Sequence, residues 1–372
     1  LKPWKAAPHT QHLNQLIDVV PPMCMKPAYE WINNKEPEKH LSVISDMLLL
    51  ESQKRSIRVL FVSRFDDKVH DAVSGESRIE SLRIDPKEDL GIQIAVQSQA
   101  LIQEKFNQTE LKIISEKKGK FDFIVCCRML EHAYEPVELI KGISLLLATD
   151  GKLIVEVPDS KKPLEQADIA MLWEEHISYF TKNTLVNCME RNGFVCVETM
   201  LCEYPQEDAL IGVFVMSDEV DDISVNKSYL GNIISEMDLA RRYADKIVYL
   251  KSIMTEYLSE LIEKFGEIVL FGAGHRGVLF LNLMGISSDF VRHVIDDDPN
   301  KRNLRVPGSG VLIKNSDSVC YDEVGVCIFS VSLDAEELIV KKIKALAGKN
   351  IEFYSISPDS NYALPIIINE FS

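Results

Sequence analysis

Glu267-Ile268-Val269-Leu270-Phe271-Gly272-Ala273-Gly274-His275-Arg276-Gly277 runs from an apolar stretch directly into G-x-G-x-x-G. The four-residue apolar run Ile268–Phe271 reads as a buried strand, and the glycines after it permit a tight turn and the close approach of a phosphate to a helix N-terminus. The helix continues from Val278 to Met284, and the next strand, Val291 to Ile295, ends at Asp296-Asp297-Asp298. An acid at that place is where a dinucleotide fold holds its ribose. Further on, the pattern predicts a strand over 324–331, a helix over 334–346 and a last strand over 351–356. Strand and helix alternate throughout, so residues 267–372 read as a small Rossmann-like α/β domain.

The same alternation recurs upstream. The pattern predicts strands at 58–62, 79–84, 111–114, 121–127 and 151–158, a helix over 136–147, and a closing pair of strands at 193–199 and 209–216. Residues 57–217 are therefore a first α/β domain with a mainly parallel, doubly covered sheet. Ligands in such sheets sit at the carboxyl ends of the strands. Arg64, Asp66, Asp85, Arg128, Glu131, His132 and Asp159 fall there. Residues 1–56 read as a proline-rich arm and a helix. An acidic linker and a long helical segment fill 218–266.

Composition sets limits. The protein has 372 residues, 46% hydrophobic, with a net charge of −16. Such a charge argues against nucleic acid or an anionic membrane as partner. The eight cysteines form no CxxC pair. A zinc ribbon and any other metal site are not expected, and mostly apolar surroundings predict free thiols in a reducing cytoplasm. No apolar run is long enough to span a membrane, and no signal peptide is visible.

Between the two domains lies Trp173-Glu174-Glu175-His176-Ile177-Ser178-Tyr179-Phe180. A histidine flanked by acids suits a general base, because a carboxylate orients the imidazole and stabilises its protonated form. A solvated helix start with a satisfied histidine fits the spacing equally well.

Three patches together carry a resemblance to the sugar C-methyltransferases acting on nucleotide-linked deoxysugars. Arg128-Met129-Leu130-Glu131-His132 followed by Asp150-Gly151-Lys152-Leu153-Ile154-Val155-Glu156-Val157-Pro158 resembles the late strands of a class I methyltransferase sheet. Glu175-His176-Ile177-Ser178-Tyr179-Phe180 resembles that family's catalytic segment. The loop 272–277, with Asp296-Asp297-Asp298-Pro299-Asn300-Lys301 and Val306-Pro307-Gly308, is similar to its carboxy-terminal domain. The resemblance implies S-adenosylmethionine as methyl donor, with Ser63, Asp66, Asp85, Arg128 and Glu131 around it. It implies His176 as base, helped by Glu175 and Tyr179. A nucleotide sugar would be held by Gly272, Gly274, His275, Arg276, Gly277, Asp296 and Lys301. The sequence departs from the family at Phe61-Val62-Ser63-Arg64-Phe65-Asp66-Asp67, where a glycine-rich donor loop belongs, at Trp173 in place of a tyrosine, and in lacking the zinc ribbon. Three uses stay open: a methyltransferase, a homologue that binds a nucleotide sugar without methylating it, and an NAD-dependent oxidoreductase built on 272–277.

Overall fold

The computed structural model describes residues 38–91, 105–172, 176–204, 207–217 and 227–368. The first sheet has six strands: β1 (Ile57–Phe61), β2 (Ile79–Arg83), β3 (Phe121–Cys127), β4 (Leu147–Asp159), β5 (Phe194–Cys202) and β6 (Asp208–Met216). They lie in the order β2-β1-β3-β4-β6-β5. The first four are parallel, and β6 runs antiparallel between β4 and β5. This is a Rossmann-like sheet of the methyltransferase kind. Strand β3 alternates nothing: all but Asp122 of Phe121–Cys127 are buried, as a strand with both faces covered requires. One face packs on Phe106, Leu111, Ile114, Leu139, Ile140 and Ile143, the other on Ile44, Leu48, Val69 and Val73.

Residues 111–114, expected as a strand, lie inside the helix Gln108–Lys118. The cause is local. Asn107 caps the helix, its side chain accepting from the amides of Thr109 and Glu110, and Gly119 closes it at φ +79°. Leu111 and Ile114, three apart, are buried while Ile113 is exposed, which is helical spacing mistaken for a short apolar run. Among the described residues β2 is an edge of the sheet.

Residues 163–172 group by contact with residues 239–368 rather than with their sequence neighbours. The second sheet has the order β11-β10-β7-β8-β9, all parallel: β7 (Glu267–Phe271), β8 (Val291–Ile295), β9 (Ile313–Lys314), β10 (Val324–Phe329) and β11 (Glu352–Ser355). Helices His275–Met284 and Leu333–Ala347 connect them. Lys227–Phe265 is a single helix of 39 residues. It buries Leu239, Tyr243, Ile247, Leu250, Met254, Leu258 and Leu261, a stripe spaced three and four apart that keeps one face apolar. None of the helices among the described residues is long and apolar enough to cross a membrane. The described cysteines are all free.

Candidate active site

The carboxyl ends of β1, β3 and β4 converge on three acids with different surroundings. At the end of β1, Ser63 and Asp66 are fully buried. Asp66 Oδ2 accepts from the amides of Val62 at 2.8 Å and Ser63 at 2.7 Å, and Oδ1 accepts from the amide of Cys127 at 2.9 Å. Ser63 Oγ donates to the Cys127 carbonyl at 2.8 Å and accepts from the Phe65 amide at 3.0 Å. Burial lifts the Asp66 carboxyl to about 6, and the amide bonds oppose the rise. Ser63 and Asp66 thus cap the short turn Arg64–Asp66 and tie β1 to β3. Arg83, at the end of β2, lies over this turn. It donates to the Ser63 carbonyl at 3.1 Å and pairs with Asp67. Asp85 is exposed beyond β2, where one oxygen accepts from the amides of Lys87 and Glu88.

Strand β3 ends in a kink. Arg128 has φ +50°, a left-handed conformation that a side chain makes costly. The kink turns the backbone into the short helix Leu130–His132. Arg128 Nε lies 3.1 Å from Glu156 Oε1 and its Nη1 3.3 Å from Glu207 Oε2. His40, on the helix Lys39–Lys54, joins from the other side. Its Nδ1 is 2.9 Å from the Tyr204 hydroxyl and its Nε2 is 3.8 Å from Glu156 Oε1. Burial, then the Arg128 charge, hold His40 down to about 4.

Glu131, just past β3, is the second of these acids. It is 1% exposed, and neither of its carboxyl oxygens has a hydrogen-bond partner on another described residue. Burial raises it to about 8, against the pull of Arg128. Its backbone carbonyl accepts from the amides of Ile177 at 2.7 Å and Ser178 at 3.0 Å. The backbone then bridges Asp159 through Phe180, whose carbonyl takes the Ser160 amide at 2.7 Å. These anchors lay residues 177–180 along the carboxyl end of the sheet in a non-helical course. His176 comes to stand beside His132, ring centroids 4.9 Å apart, and beside Tyr179 at 5.9 Å. Asp159, raised to about 6 by burial and then by Asp208, borders the same end. Glu175 lies outside the described residues, as do Trp173 and Glu174.

In the carboxy-terminal unit Gly272 adopts φ +111°, and a Cβ on Gly277 would meet the Gly272 carbonyl at 2.3 Å. Both glycines are needed for the turn to fit. A Cβ on Gly274 would meet nothing within 4 Å, so packing does not demand glycine there. Asp296 Oδ2 accepts from the Ala273 amide and the Lys301 ammonium, each at 2.9 Å, and Oδ1 accepts from the Asp298 amide. Both oxygens of Asp296 are thus engaged in shaping the loop. Arg276 behaves differently. Its Nη2 is 3.6 Å from Asp168 Oδ2, yet Nε and Nη2 lack hydrogen-bond partners although buried. His275, beside it, is 3% exposed.

A methyltransferase domain family matches residues 33–199, and the C-methyltransferase C-terminal domain family matches residues 219–357. The protein thus carries a methyltransferase domain followed by a C-methyltransferase C-terminal domain. A curated relative, C-methyltransferase NovU of Streptomyces niveus, is 22% identical over 207 residues, 54% of this sequence. The match spans about half the length of that relative, 49%. Among solved structures the protein is similar to 1,6-didemethyltoxoflavin-N1-methyltransferase of Burkholderia thailandensis at 15% identity and a TM-score of 0.34, covering 57% of this sequence and 92% of the other. A second is magnesium protoporphyrin IX methyltransferase of Synechocystis PCC 6803, at 10% identity and a TM-score of 0.32, covering 56% and 96%.

S-adenosylmethionine is the cofactor of such C-methyltransferases. In this protein the strand ends expected to face such a donor differ from one another. Asp85 stands exposed beyond β2, where a ribose diol is held in sheets of this topology. No glycine occurs between Ile57 and Ser74, and the acid and hydroxyl of the donor turn are spent on backbone. The backbone close to the methionine end is therefore shaped by Ser63, Asp66 and Arg83 rather than by glycine. Neither His40 nor Tyr204, distant in sequence, carried any signal; His132 did, adjacent to Glu131 in Glu131-His132.

Proposed function

We propose that this protein methylates a ring carbon of a keto-deoxysugar carried on a nucleotide, with His176 as general base. The observation that supports the reading is the gathering of His176, Tyr179, His132 and Glu131 at the carboxyl end of β3, on the segment that resembles the family's catalytic stretch. The part-buried imidazole of His176 takes the proton from the carbon beside the keto group, and that carbon, now an enolate, is the nucleophile. S-adenosylmethionine, when bound, supplies the methyl group. Burial pushes the Glu131 carboxyl towards its neutral form, so it adds no charge that would hold a proton on the imidazole beforehand.

Phosphate binding is ascribed to the glycine loop of the carboxy-terminal unit, where Gly274 borders open space at a helix N-terminus. The test is His176→Ala, assayed by transfer of labelled methyl to a keto-sugar nucleotide. Turnover should fall about 10²- to 10⁴-fold, the usual contribution of a general base, while calorimetric affinity for the sugar nucleotide stays within about twofold. Unchanged turnover would remove His176 from the mechanism. No affinity of the wild-type protein towards any sugar nucleotide would remove the substrate class.

A further inference from the structure

Glu131, His132 and His176 each present one ligand atom, and the three atoms lie within 4.8 Å of one another. His132 Nε2 is 3.9 Å from Glu131 Oε1. Glu131 and His132 are buried, at 1% and 5% exposure, while His176 is only part-buried. The trio is thus closed on the sheet side and reached from the His176 side. A buried carboxyl whose oxygens have no hydrogen-bond partner on another residue is a rare feature that calls for a cause. A cation among the three groups would supply one, because it compensates the charge that burial otherwise penalises.

The donor set identifies the ion. Two imidazoles and one carboxylate suit divalent first-row transition ions, and are too nitrogen-rich for magnesium or calcium. Three protein ligands leave a fourth position for a ligand oxygen, as in catalytic zinc sites. Ligand atoms around tetrahedral zinc stand roughly 3.3 Å apart, given bonds of about 2.0–2.2 Å. Closing the trio therefore takes an approach of about 1.5 Å, which small side-chain rotations supply. Other histidines are placed otherwise: His40 lies between Tyr204 and Glu156, and His70 sits at the surface near Asp71.

We propose that Glu131, His132 and His176 form a binding site for one divalent transition-metal ion of the zinc class, with an open coordination position. The site stands independently of the methyl-transfer reading. Where both hold, they exclude one another at any instant, since a neutral imidazole has a single lone pair. A metal-bound His176 cannot accept a proton, so zinc would switch the base off.

The test is a cobalt(II) titration of the chelator-treated protein, read by the visible d–d absorption of a low-symmetry site and needing no substrate. One equivalent should bind with such bands, and zinc should displace it. Glu131→Gln and His176→Gln should each abolish the bands and weaken binding by about 100-fold or more, with melting curves reporting that the fold persists. His176 lies on the open side, so its variant keeps the test decisive should Glu131→Gln fail to fold. Absence of bands in the wild-type protein, or their survival in either variant, would overturn the proposal.

Discussion

Asp66 and Glu131 are acids buried at the same sheet end, and their neighbours give them opposite roles. Asp66 receives three backbone amides, so it holds the ends of β1 and β3 together. Asp66→Asn turns one acceptor into a donor facing an amide. It should destabilise the fold by about 1–3 kcal/mol, the cost of leaving buried polar groups unpaired. Urea unfolding checks this, and an unchanged midpoint would make the Asp66 bonds dispensable. Ser63→Gly, which would bring the donor turn closer to the family's glycine pattern, also removes the two hydrogen bonds of Ser63 Oγ. We expect it to lower stability as well, whatever it does for the donor, and the same urea titration reads it.

The element that separates packing from ligand binding is the loop between β7 and the helix His275–Met284. Gly277→Ala places a Cβ 2.3 Å from the Gly272 carbonyl. The backbone must shift, and a loss of about 1–3 kcal/mol is expected from overpacking. Gly274→Ala meets no atom of the protein and should change stability by less than about 0.5 kcal/mol. If the face above Gly274 receives a phosphate, the same substitution should weaken sugar-nucleotide affinity several-fold. A thermal melt and a calorimetric titration of each variant distinguish the two glycines. Equal affinity in Gly274→Ala would make the loop purely architectural.

At the scale of the molecule, buried titrating groups pull stability in opposite directions along the pH axis. His40 is held down to about 4 from 6.5. Between those values the unfolded state binds a proton the fold refuses, so stability falls as pH drops through that window. Glu131 is held up to about 8 from 4.5. The fold keeps a proton that the unfolded state releases, so its contribution falls as pH rises from about 4.5 to 8 and is level above. Asp66 and Asp159, raised to about 6 by burial, act like Glu131 over a shorter range. Glu131→Gln should therefore gain on the wild type by a few kcal/mol at most between pH 5 and pH 8. Urea unfolding at both pH values measures the gain. A difference that is flat with pH would show that Glu131 ionises alike in both states.

Two α/β halves, their parallel strands and the strand–glycine–helix unit at 267–284 were legible in the sequence, because apolar periodicity and glycine spacing are local properties that backbone geometry reads directly. The same locality misled at 111–114, where a cap at Asn107 and the spacing of Leu111 and Ile114 outweigh a short apolar run. Which polar residues serve a site is not local. Asp66 and Asp296 stand at strand ends where acids bind ribose or donor, and the tertiary structure spends both on backbone amides and, for Asp296, on Lys301. His40 meets Tyr204 across 164 residues, and His176 meets Glu131 only because amides 177 and 178 dock on the Glu131 carbonyl. Burial, which turns Glu131 from a charged surface acid into a neutral interior one, depends on every strand packed around it, and only the folded protein decides that.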